Sequence, residues 1–159
     1  MRLIIKQKVF SWGDKFFVTD TNGDIKYIIQ GEVFSLGKKL HIYDSDSNEV
    51  AFISQKLLSI KPCFLIFRDK IKTAEIVKDF SFFRPSYSID GLNWKIDGNL
   101  LAHKYTIKEN GIFIAIIDKE FFTWGDSYTL DISDSAEEII ALSVILAIDC
   151  ILDSSRSSD

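Results

Sequence analysis

The sequence predicts a mainly β fold, a closed antiparallel β-barrel of about 12 strands around a central hydrophobic C-terminal α-helix. Three observations predict it. The run Ser135–Asp153 is apolar almost without interruption. The chain before it is a succession of short β-prone segments divided by turn residues. Segments of the first half also recur in the second, His41–Tyr43 at a spacing of 62 residues.

The helix comes first because the rest must accommodate it. Ser135 followed three residues on by Glu138 is a capping box, and Glu137 and Glu138 place negative charge at the positive end of the helix dipole. Between Ile139 and Leu152 the only polar side chains are Ser143 and Asp149. A helix apolar around nearly its whole circumference must be enclosed by protein or lipid. The run is 14 residues long, short of the roughly 20 that span a bilayer, and Asp149 makes spanning costlier. A buried helix is therefore expected at about 135–153, in a single domain covering residues 1–153. Residues 154–159 read as a polar, disordered tail.

The strands follow in order. Residues 3–10 and Lys15–Thr19 flank Gly13-Asp14, and Thr21-Asn22-Gly23-Asp24 is the strongest short hairpin signal. Ile25–Ser35 is a strand with a bulge or bend at Gly31. After the turn Leu36–Lys39 comes the short strand Leu40–Tyr43, then the polar turn Asp44–Asn48. Glu49–Ser59 and Lys61–Arg68 are strands, with Pro62 near the start of the second, where a missing N–H matters least. Ile71–Lys78 fits a charged strand or a short helix, with strand preferred. Phe80–Ile89 contains Pro85 and reads as an edge strand or irregular. Asp90-Gly91 and Asp97-Gly98 are turns around Asn93–Ile96. Leu100–Ile107, Ile112–Phe122 and Ser127–Ile132 complete the set, separated by turns at Lys108–Gly111 and Thr123–Asp126. Closure of such a sheet removes its exposed edges.

Phe10-Ser11-Trp12-Gly13-Asp14 recurs as Phe122-Thr123-Trp124-Gly125-Asp126, and more weakly as Phe34-Ser35-Leu36-Gly37-Lys38. His41-Ile42-Tyr43 matches His103-Lys104-Tyr105. Two copies suit a closed barrel with approximate two-fold symmetry better than an open solenoid. Each His-x-Tyr is expected on a strand, both side chains on one face. Equivalent structural positions explain the two histidines more simply than a metal or acid–base pair, since no third ligand is suitably spaced.

Hydrophobic residues make up 47% of the 159 residues and net charge is -4. Nucleic-acid binding is therefore not expected of the chain as a whole. Cys63 and Cys150 form no CxxC motif and read as buried free thiols of a reducing compartment. The N-terminus, with Lys6 and Lys8 directly after a three-residue apolar stretch, is not a signal peptide. The expected location is cytoplasmic, peripheral to membranes if lipid is bound. No dinucleotide fingerprint, P-loop, HExxH or GxSxG is present. No cofactor or catalytic residue is assigned. Asp44-Ser45-Asp46 lacks the glycine and terminal glutamate of a calcium loop and reads as a solvated turn.

Charge is uneven along the chain. From Lys56 to Arg84 there are seven Lys or Arg against three Asp or Glu; from Asp118 to Asp159 there are two against ten. Lys56, Lys61, Arg68, Lys70, Lys72, Lys78 and Arg84 are the candidate contacts for an anionic headgroup. The alternative is a solvated surface of mixed charge. Trp12 and Trp124, beside turns, fit either interfacial anchors or plugs at the end of a barrel.

Phe10–Asp14, the segment Gly31-Glu32-Val33-Phe34-Ser35-Leu36-Gly37-Lys38-Lys39-Leu40 and the terminal apolar helix together resemble the LURP-one-related family. That family belongs to the tubby C-terminal-like superfamily, related to the phospholipid scramblases. The resemblance covers essentially the whole chain and implies a barrel of about twelve strands around a hydrophobic helix, as read from the residues. Tubby-type domains bind phosphoinositides and scramblases act at membranes. The resemblance thus implies a non-enzymatic module for an anionic lipid, although no position here matches the tubby basic residues one by one. A protein-interaction module and an undetected hydrolase or metal enzyme are the alternatives.

Overall fold

The computed structural model describes residues 1–7, 15–79, 86–122, 125–133 and 137–156. Twelve strands precede one helix: β1 (Arg2–Gln7), β2 (Lys15–Thr19), β3 (Ile25–Gly31), β4 (Lys39–Asp44), β5 (Glu49–Gln55), β6 (Cys63–Arg68), β7 (Ile71–Lys78), β8 (Tyr87–Asp90), β9 (Trp94–Asn99), β10 (Lys104–Glu109), β11 (Ile112–Phe122), β12 (Gly125–Ile132) and α1 (Glu138–Arg156). All pairings are antiparallel and form one sheet in the order β8-β7-β6-β5-β4-β3-β2-β1-β12-β11-β10-β9. The first and last strands pair, Leu3 opposite Leu130 and Ile5 opposite Tyr128, so the meander curls back on itself. The ring is complete except at β8 and β9, which are joined by a short turn but share no ladder.

Every residue from Ile139 to Leu152 is buried. With 3.6 residues per turn, continuous burial over that length means that protein surrounds the helix on all sides. It packs against β5, β6, β7 and β12. Inward-facing Ile53, Ile66, Ile76 and Leu130, alternating with outward neighbours, complete the core. The Ser143 hydroxyl donates to the Ile139 carbonyl at 2.7 Å, which satisfies a hydroxyl otherwise stranded in apolar surroundings. The helix runs to Arg156, three residues beyond the expected end, so Ser154–Arg156 are helical rather than tail. Ser135, the expected cap, lies outside the described residues, as do Trp12, Trp124 and Arg84.

Several strands are shorter than their hydrophobicity implies. β3 stops at Gly31, where the Glu32 N–H donates to the Lys39 carbonyl and closes a loop over residues 32–38. β5 stops at Gln55, and the Lys56 N–H donates to the Cys63 carbonyl across a second loop, residues 56–62. Leu100–His103 is a turn, with His103 at φ 50°, and β10 begins only at Lys104. Gly98, expected in a turn, lies inside β9 opposite Tyr105. Ile71–Lys78 is a strand, as preferred, and β8 is an edge strand.

The repeat does not carry its face with it. His41 and Tyr43 point outward from β4, between inward Leu40 and Ile42. Tyr105 points inward from β10, and His103 is buried in the preceding turn. The two segments stand out of phase because the second begins in a turn and enters its strand only at Lys104, and one residue of slip inverts the face of a strand.

Candidate functional site

Strict up-and-down order sends alternate connections to opposite ends of the barrel. One end, here the loop end, carries residues 32–38, 56–62 and 100–103. The other carries tight turns such as Asp20–Asp24, Asp44–Asn48 and Asn110-Gly111. In these turns carboxylates serve the backbone. Asp44 accepts from the Asp46 and Asn48 N–H groups at 3.0 and 2.8 Å, and bonds to Asn48 hold its carboxyl below the usual range.

The predicted basic cluster is divided between the two ends. Lys56, Lys61 and Lys78 stand at the loop end, where the Lys78 N–H donates to the Pro62 carbonyl. Arg68 and Lys70 stand at the turn end, where Arg68 pairs with Glu137 ahead of the helix. Lys72 lies on β7 and reaches toward Lys56 through a shared carboxylate. Glu75 receives Lys56 Nζ at 3.0 Å and Lys72 Nζ at 3.0 Å, and the Cys63 thiol donates to it at 3.2 Å. These bonds, that from Lys72 foremost, lower the Glu75 carboxyl from 4.5 to about 2. Burial, and then the bond to Glu75, push the Cys63 thiol up to about 11, so it is no activated nucleophile.

The Glu75 knot has a pH signature. Its carboxyl is more acidic in the folded chain than in the unfolded chain, so the stability it contributes is complete above about pH 4.5 and is lost as pH falls toward 2. Both lysines are about half exposed, so the contribution is on the order of 1 kcal/mol. Glu75→Gln is expected to remove that share of the acid sensitivity in urea titrations at pH 7 and pH 3. An unchanged stability difference between the two pH values would contradict this assignment.

Two shallow grooves lie toward the turn end. One, of about 520 Å³, is lined by Glu49, Ala51, Phe52, Phe67, Asp69 and Lys70. The other, of about 420 Å³, lies beside Tyr27, Asp44, Arg68 and Glu138. The helix therefore starts at the turn end. It finishes toward the loop end, where Lys38 Nζ donates to the Cys150 carbonyl at 3.4 Å.

The histidines do not share a site. On the outer wall, His41 lies between Glu49 (2.6 Å from Nδ1) and Glu32 (2.9 Å from Nε2), with its ring 4.7 Å from Phe52. His103 is enclosed, its Nδ1 3.2 Å from Asp149 Oδ1 but outside hydrogen-bond geometry, with the Tyr128 ring edge-on at 5.1 Å. The Tyr87 and Tyr105 hydroxyls share this interior and likewise find no partner among the described residues. Burial, then the Asp149 carboxylate, raise both phenols. Among the described residues no group of three or more His, Cys, Asp or Glu is placed to hold a metal. Nor is any described helix long and apolar enough to cross a membrane.

Comparison with known proteins gives a consistent result. The uncharacterized protein YxjI of Bacillus subtilis (strain 168) is 32% identical over 152 residues, covering 96% of this chain and 94% of that protein. An X-ray structure of a protein from Arabidopsis thaliana superposes with a TM-score of 0.62 over 93% of this chain and 89% of that one. At 15% identity it shows a shared fold. The LURP-one-related family profile matches residues 1–149, and the chain belongs to the LURP-one-related family.

Proposed function

We propose that the protein is a non-enzymatic binding module that docks on an anionic membrane surface. The observation that carries this reading is the lysine set at the loop end. Lys56, Lys61 and Lys78 stand together on one side of the loop end, at neighbouring strands β5, β6 and β7, of a barrel whose interior is already filled by its own helix, leaving the outside to bind. Each lysine held near an anionic leaflet contributes about 1 kcal/mol, and the attraction is screened by salt. Arg68 and Lys70, at the far end, take no part in this docking geometry.

Liposome flotation tests the reading. The full chain is expected to float with phosphatidylcholine–phosphatidylserine vesicles at low salt and not with phosphatidylcholine alone. Lys61→Glu with Lys78→Glu is expected to weaken binding roughly tenfold or more, while Lys70→Glu leaves it unchanged. Absence of binding to anionic vesicles at low salt would remove the lipid reading and favour a protein-interaction module.

A further inference from the structure

Loops 32–38 and 56–62 stand side by side at the loop end. The Lys38 N–H donates to Gln55 Oε1 at 3.0 Å, and the Gln55 N–H donates to the Lys38 carbonyl at 2.8 Å. Gly37 sits so close to Leu57 that an added Cβ would fall 2.5 Å from its Cδ2. From this joined base the tips project Val33, Phe34, Leu36, Leu57, Leu58 and Ile60, all exposed. Phe34 and Leu58 are 100% exposed and Ile60 94%, so they stand clear of the barrel. Neither loop is held out by accident, since each is closed by a backbone hydrogen bond at its foot. A contiguous exposed apolar patch on a soluble domain marks an interaction surface.

The arrangement in depth identifies the occupant. Lys61, with Lys38, Lys39 and Lys56, lies at the feet of the tips, so the protein presents apolar side chains outermost and a lysine-rich band behind them, in which Lys38 reaches the Cys150 carbonyl, Lys39 pairs with Glu32 and Lys56 with Glu75. An anionic bilayer presents the complement in the same order, with negative headgroups over hydrocarbon. The tips are convex, which suits a deformable surface. The opposite end exposes Ile25, Ile71, Ile112 and Phe113 less fully, each at the start of a strand beside a tight turn and not at the tip of a projecting loop.

We infer that loops 32–38 and 56–62 form a two-loop wedge. Its apolar tips enter the headgroup–acyl boundary of an anionic bilayer and stand the barrel end-on, with the C-terminal end of α1 toward the membrane. This rests on the membrane-docking reading and adds to it a site of insertion, an orientation and a salt-resistant component. Insertion uses apolar transfer, which salt does not screen, so binding persists in part at high salt.

The test compares wild type, Phe34→Ser with Leu58→Ser, and Ile112→Ser on phosphatidylcholine–phosphatidylserine vesicles at low and high salt. Ile112 is exposed at the turn end and serves as the control. The loop variant is expected to lose at least about tenfold in binding constant, about 1.4 kcal/mol, and to lose all binding at high salt, with Ile112→Ser as wild type. An environment-sensitive fluorophore at Leu58→Cys is expected to shift to the blue on vesicles, and one at Ile112→Cys to remain unshifted; both native cysteines are buried. If wild type binds no anionic vesicle, the docking reading itself fails. If wild type binds and the loop variant binds equally, or the Leu58→Cys probe does not shift, insertion is overturned while docking stands. A wild-type dimer that Phe34→Ser with Leu58→Ser converts to monomer, without vesicle binding, would give the wedge to a second copy and overturn the proposal.

Discussion

Ile145→Asp is expected to yield no folded protein. Ile145 is fully enclosed at mid-helix, with buried residues before and after it on every face. An unpaired charge there costs about 3–5 kcal/mol or more, while the whole domain is stable by only about 5–15 kcal/mol. The milder Leu142→Ala leaves a cavity costing about 2–5 kcal/mol and is expected to lower the melting temperature by on the order of 10 °C. Circular dichroism and thermal melting check both. A soluble Ile145→Asp chain that melts cooperatively within a few degrees of wild type would mean that the helix has an open face.

Gly98→Ala carries the next largest effect, for a backbone reason. Gly98 lies in β9 at φ +128°, and a Cβ there would fall 2.6 Å from the Lys104 carbonyl oxygen and 2.7 Å from Tyr105 Cα. Both obstacles are main chain of the paired strand, so no rotamer change relieves them. The expected cost is about 2–4 kcal/mol. Gly111 provides the comparison, with φ +85° but open space around the added atom, so Gly111→Ala is expected to cost only about 1 kcal/mol. Urea midpoints separate the two, and equal losses would contradict the close approach of β9 and β10. Because β9 borders the one unpaired seam of the ring, the damage starts where closure is weakest.

Turn chemistry made most of the barrel legible. Asn22-Gly23, Asp90-Gly91 and Asn110-Gly111 all adopt the positive φ at glycine that their sequences announced. The helix was legible because nothing between Ile139 and Leu152 offers a solvent face. Hydrophobicity misled at the strand ends. Val33-Phe34 and Leu57-Leu58 read as continuations of β3 and β5, yet they are the exposed tips of the loop end. Pattern alone does not separate an apolar residue that enters a core from one displayed at a surface.

The site was less legible than the fold. Counting charge along the chain joined Lys56 and Lys61 to Arg68 and Lys70, although one intervening strand carries these to opposite ends of the barrel. Glu75, which draws in Lys56, Lys72 and Cys63, gave no signal because its partners arrive from β5–β6 and β7 through pairing. Of the two histidine–tyrosine pairs, His41 and Tyr43 share the outer face of β4 as alternation predicts, whereas the turn at Leu100–His103 takes His103 off the strand and breaks the phase with Tyr105. The buried meeting of His103 with Asp149 depends on where the helix lies in the ring, which no local pattern encodes.

The central claim is that the chain's own helix occupies the interior of the ring, so that ligands meet only its outside. Native-state hydrogen exchange across Ile139–Leu152 tests it most directly. The account predicts that these amides exchange only through global unfolding, as slowly as the slowest amides of β5, β6 and β12. Exchange of the helix while those strands stay protected would show that it leaves the ring independently, and would contradict the account.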